Sequence, residues 1–113
     1  MSGMFYGCES LGILDVSGFD TSKVLTMSSM YQECLILTAL DVSGFDTSNV
    51  IDFSYMFFDC NRLNDLNVGG FDTSSTVDMN MMFSFCPSLT EPDVSEFDYS
   101  SDPDTTDMKH LIE

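Results

Sequence analysis

Cys8, Cys34, Cys60 and Cys86 follow one another at intervals of 26 residues, and the interval holds well beyond the cysteines. The same step carries Leu11 to Leu37, Leu63 and Leu89, Val16 to Val42, Val68 and Val94, and Phe19 to Phe45, Phe71 and Phe97. A fixed period of this length marks a chain built from one supersecondary unit used several times. Such a unit cannot bury its apolar face alone and must stack on a neighbour. The register divides the 113 residues, read as a single domain, into a partial repeat 1–10, full repeats 11–36, 37–62 and 63–88, and a degenerate last repeat 89–113. Met1, Ser2 and Met4 match Met27, Ser28 and Met30, so the chain is expected to enter in mid-repeat.

Each repeat carries two different periods. From Leu37 to Ser43, Leu40 and Val42 alternate with Asp41 and Ser43, which predicts a short strand with one buried face. Gly44 then permits a turn. Val50, Phe53, Met56, Phe57 and Cys60 are spaced three, three, one and three residues apart, which predicts one stripe of a short helix. Asp46, Thr47 and Ser48 stand before it as candidate N-caps, with Phe45 as a staple onto its first turn. The expected fold class is an α/β repeat solenoid, leucine-rich-repeat-like, with short parallel strands on one face and short helices on the other.

Nineteen acidic residues against three basic ones give a formal charge of -16. That field repels nucleic-acid phosphates and anionic lipid surfaces and favours cations or basic proteins. No stretch approaches the roughly 20 apolar residues of a membrane-spanning helix, and the N-terminus has no basic start and apolar run of a signal peptide. The cysteines, pointing in parallel from equivalent positions, are poorly aimed for disulfides or a tetrahedral zinc site and are expected as reduced core residues.

Two acidic rows stand out. Asp20, Asp46 and Asp72 lie in the turn before the expected helix, where they suit helix capping by charge or, alternatively, calcium coordination. Stacked carboxylates repel, and cations or helix amides are expected to offset that cost. The strand-face set Asp15, Ser17, Asp41, Ser43, Asn67, Asp93 and Ser95 offers solvent-facing positions to a ligand, either a basic protein patch or the hydroxyls of a glycan. Thr21, Thr47 and Thr73 form a further row whose flatness suggests ice binding only as a remote alternative. His110 has no cysteine or serine partner at local spacing, and no nucleophile, base or phosphate loop is recognisable, so no enzyme is expected.

The phrase LDVSGFDTSNV followed by MFFDC, between Leu40 and Cys60, resembles the repeat of BspA-like leucine-rich repeat surface proteins of bacteria and mycoplasmas. The resemblance extends from Met4 to about Asp98. It implies a secreted or cell-surface protein concerned with adhesion and partner contact, and it implies no catalytic residues. Phe45 stands where ordinary leucine-rich repeats carry asparagine, so an aromatic ladder is expected to replace the asparagine one. The function expected is a non-catalytic binding or adhesion module using its acidic strand face, with a protein or glycan ligand. The alternative is a structural element that self-associates end to end through its terminal repeats, with or without calcium.

Overall fold

A segment whose inward residues fall at Met27, Met30, Tyr31 and Cys34 has two ways to satisfy its amides. All can bond within the segment, as in a helix, or half can bond within it and half to a neighbouring copy. The computed structural model, which describes residues 1–89 together with Val94, Phe97 and Asp98, follows the second course. The N–H groups of Met30, Gln32 and Cys34 bond back three residues, to Met27, Ser29 and Tyr31. The alternate N–H groups, of Met27, Ser29, Tyr31 and Glu33, donate across to the carbonyls of Asp52, Ser54, Met56 and Phe58 in the next copy, at 2.8 to 2.9 Å.

The result is a run of tight turns in place of a helix. Ser29 and Glu33 take left-handed φ values of 59° and 60°, and Tyr55, Asp59, Met81 and Phe85 repeat the pattern in later copies. In the partial repeat 1–10 the same positions are Gly3 and Gly7. Just before each run, a side chain receives an otherwise free amide: Thr26 Oγ1 accepts from Ser28, Asp52 Oδ1 from Ser54 and Asp78 Oδ1 from Asn80.

This overturns the expected α/β solenoid with helices on one face. Among the described residues there is no helix, and the strands are only β1 (Ala39–Leu40) and β2 (Asp65–Leu66). They pair in parallel, Ala39 opposite Asp65 and Leu40 opposite Leu66. Isolated parallel bridges join Thr26, Asp52 and Asp78 in the half assigned to helices. The spacing i, i+3, i+4, i+7 is common to a helical stripe and to this turn run. A helix, however, commits its amides to its own carbonyls four residues back and leaves none for the adjacent copy. Asp46, Thr47 and Ser48 therefore cap no helix. Among the described residues no helix is long and apolar enough to cross a membrane.

Equivalent positions stack into columns. The rings of Phe5, Tyr31, Phe57 and Phe83 lie 5.5, 5.6 and 5.7 Å apart and within 6° of parallel. Leu37, Leu40, Val42 and Phe45 from the acidic half and Val50, Phe53, Met56 and Phe57 from the turn half share one buried cluster. Phe53 stacks on Phe71 at 5.3 Å and so joins the halves. Cys34, Cys60 and Cys86 are buried free thiols whose Sγ–H groups donate to the carbonyls of Phe5, Tyr31 and Phe57. Burial lifts the Cys34 and Cys86 thiols to about 11, and Cys60 higher still, so they remain protonated and unreactive.

The acidic half is joined differently. Thr47 is buried, and its hydroxyl accepts the N–H of Asp72 at 2.8 Å while donating to the Asp72 carbonyl at 3.2 Å. Thr21 holds Asp46, and Thr73 holds Asp98, in the same two-way fashion. These threonines are internal staples, which removes the exposed flat row that ice binding requires.

Candidate functional site

The third copy departs from its neighbours at two nearby positions, with Asn67 where Asp15 and Asp41 stand and Gly69 where Ser17 and Ser43 stand. In the regular copies the aspartate folds back on its own serine. Asp41 Oδ1 accepts the Ser43 N–H at 3.0 Å and the Ser43 hydroxyl at 2.6 Å, and Asp15 does the same with Ser17. At Asn67 only the Gly69 N–H remains to be accepted, at 2.9 Å. The amide nitrogen of Asn67 makes no hydrogen bond among the described residues, leaving a donor in a row otherwise made of acceptors.

Two depressions flank this residue. One, of about 280 Å3, is lined by Ala39, Leu40, Asp41, Asp65 and Asn67. The other, of about 200 Å3, is lined by Val42, Ser43, Phe45, Asn67, Gly70 and Phe71. Asn67 belongs to both. The structure thus gathers Asp41, Ser43 and Asn67 from the predicted strand-face set between the second and third copies. Asp15 and Ser17 are exposed in the preceding copy and line neither depression, and Asp93 and Ser95 lie outside the described residues. Asp65 is a lining residue that sequence reasoning passed over; its position three residues after Arg62 and opposite Ala39 in the strand pair gave no motif to notice.

The site is electronegative. The Ser43 hydroxyl, and next its N–H, hold the Asp41 carboxyl below the usual carboxylate range, outweighing the like charge of Asp15. Ser17 lowers Asp15 in the same way. A depression lined by Asp41, Asp65, Asn67, Ala39 and Leu40 combines two acidic residues, one amide donor and apolar surface, which suits hydroxyl-bearing or cationic groups with some apolar surface.

The second acidic row is built alike. Asp20, Asp46 and Asp72 each accept the hydroxyl and N–H of Ser22, Ser48 and Ser74. Those hydroxyls and then amides lower all three carboxyls, although Asp72 and Asp20 push Asp46 the other way. The repulsion expected to need cations or helix amides is therefore offset inside each copy by its own serine. Among the described residues no group of three His, Cys, Asp or Glu side chains is assembled as metal ligands. His110 lies outside the described residues.

A family model described as "Mycoplasma protein of unknown function, DUF285" matches residues 1–112, and the chain belongs to that family. No curated protein and no solved structure matches it.

Proposed function

We propose that this member of the DUF285 family is a non-catalytic binding module of a cell-surface or secreted protein, and that its ligand, a protein or glycan, is taken at Asn67 between the second and third copies. The observation that carries this reading is the pair of depressions sharing Asn67, where the acidic row loses one carboxylate and one serine and gains an amide donor. At Asp15 and Asp41 the row presents acceptors engaged by their own serines, so among the described residues of the row Asn67 adds an amide donor beside them. The resemblance of LDVSGFDTSNV to BspA-like surface repeats supports the location and the adhesive role.

The test is capture on a glycan array and on immobilised extracellular-matrix proteins by wild type, Asn67→Ala and the Asp41→Ala/Asp65→Ala pair. Loss of the wild-type signal in both variants, with unchanged thermal melts, is the expected result. Undiminished capture by both would remove the depressions from the reading. Calcium is no part of it: the acidic row at Asp20, Asp46 and Asp72 is internally satisfied, and chelation is expected to leave the melting temperature unchanged.

A further inference from the structure

The turn half exposes an aromatic cluster that core packing does not account for. Phe58 meets Tyr55 at 5.4 Å and, edge on, Phe85 of the next copy at 5.3 Å. Tyr55 is 37% and Phe85 63% exposed. Both sit at left-handed φ values of 59°, where the Cβ of any residue but glycine is crowded against the following carbonyl. The partial repeat 1–10 shows the unstrained choice, Gly3 and Gly7, at these positions. Large rings are thus held at strained and solvent-facing places, a combination that points to use of the ring itself.

Acidic residues are linked to the cluster through its backbone. Phe85 shares its column with Glu33 and Asp59, all three with left-handed φ. The Glu33 N–H donates to the Phe58 carbonyl at 2.8 Å. Asn61 Nδ2 bridges Asp59 Oδ1 at 2.5 Å and the Phe85 carbonyl at 3.4 Å, which ties that carboxylate to the backbone that carries the exposed ring. A negative ring face next to a carboxylate is complementary to a guanidinium, which stacks on the one and hydrogen-bonds the other. The -16 charge of the chain steers such a partner inward.

We infer that Tyr55, Phe58 and Phe85, with Glu33 and Asp59, form a docking surface for an arginine-rich segment of a partner protein. This surface is separate in residues from the Asn67 depressions and does not rest on them.

The test is titration of the full chain with a labelled peptide of alternating arginine and glycine, against its lysine counterpart, at low and high salt. The Tyr55→Gly/Phe85→Gly and Tyr55→Leu/Phe85→Leu pairs leave net charge unaltered, so general attraction between an acidic chain and a basic peptide survives in them. Each pair is expected to weaken arginine-peptide binding about tenfold, two exposed cation–π contacts together. The leucine pair keeps apolar bulk and decides the matter if the glycine pair fails to fold. Glu33→Gln/Asp59→Asn should weaken binding as well, and Asn67→Ala should leave it unchanged. Binding retained by the leucine pair, no binding by wild type, loss on Asn67→Ala instead, or capture only of glycans would each overturn the inference.

Discussion

In the turn half, Ser29, Tyr31 and Glu33 each donate a backbone N–H directly to the next copy, whereas the link from Thr47 to Asp72 in the acidic half runs through a side-chain hydroxyl. One half is held by a backbone ladder with stacked rings beneath it; the other has two-residue strands and one threonine per copy. Stacking in the turn half therefore depends on inward packing and on φ, while in the acidic half it depends on the identity of single polar side chains. Asp15 and Asp41 at the acidic surface bond their own serines, whereas Asn67, followed by Gly69, keeps its amide nitrogen without a partner among the described residues.

The widest gap between the halves should appear on removing a ring. Phe57 is fully buried and sandwiched between Tyr31 and Phe83, so Phe57→Ala loses two ring contacts and leaves a cavity, costing about 3–5 kcal/mol in urea unfolding. Phe45 is buried in the acidic half, with 7% of its surface exposed, and should cost less on the same change. Equal losses would break the comparison. The turn half also answers to alkali. Cys34 and Cys86 keep their protons to about 11 when folded, against an ordinary thiol value near 8.5. Above about pH 8.5 the unfolded chain has released protons that the folded chain retains, so stability is full below that pH and falls as pH rises through about 11. Unfolding midpoints measured from neutral to alkaline pH should show this decline, flattened in Cys34→Ala and Cys86→Ala.

Thr47→Val is the corresponding cut in the acidic half. It preserves shape and strands the N–H and carbonyl of Asp72, with an expected loss of about 1–3 kcal/mol. Thr47→Ser should recover most of it. A neutral Thr47→Val would mean that the two strands, not the staple, hold this half.

These outcomes mirror what was legible in the chain. The register and the inward residues Leu40, Val42, Phe57 and Cys60 were readable, because burial obeys the same spacing whichever backbone carries it. The backbone itself was not. Met27, Met30, Tyr31 and Cys34 fit a helix as well as a turn run, and only the destination of the alternate amides, invisible in one copy, separates them. Left-handed φ at Tyr55 and Phe85 went unsuspected because neither residue announces it as glycine would. Of the site, Asp41, Ser43 and Asn67 were marked by alternation along the strand; Asp65 joins them through pairing between copies. The threonine staples carried no pattern beyond their recurrence, and a recurring threonine reads equally as surface or interior.

Tyr31 tests the ring column more gently than Phe57→Ala does. It stands where Phe5, Phe57 and Phe83 stand, and its buried hydroxyl has no partner among the described residues. Burial pushes its ionisation far above the ordinary tyrosine value. Tyr31→Phe removes the unsatisfied group without altering the stack and should stabilise the protein by about 1 kcal/mol. A loss instead would show that the hydroxyl has a use in the column.

The smallest effects contrast the halves most directly, because glycine should act with opposite sign in each. Ser29 holds φ at 59°, a conformation costing about 1–2 kcal/mol for a residue with a Cβ, while glycine adds about 0.4–1 kcal/mol of unfolded-state entropy to be lost. The difference leaves Ser29→Gly stabilising by about 0.5–1 kcal/mol. Gly44, in the acidic half, has no left-handed φ, and a Cβ there would meet nothing within 4 Å. Gly44→Ala should then stabilise by about 0.4–1 kcal/mol through the unfolded chain alone, whereas Gly3→Ala, at φ 63°, should destabilise. Thermal melts of the three variants decide it: the same sign for Ser29→Gly and Gly3→Ala would mean that left-handed backbone is not what distinguishes the turn half.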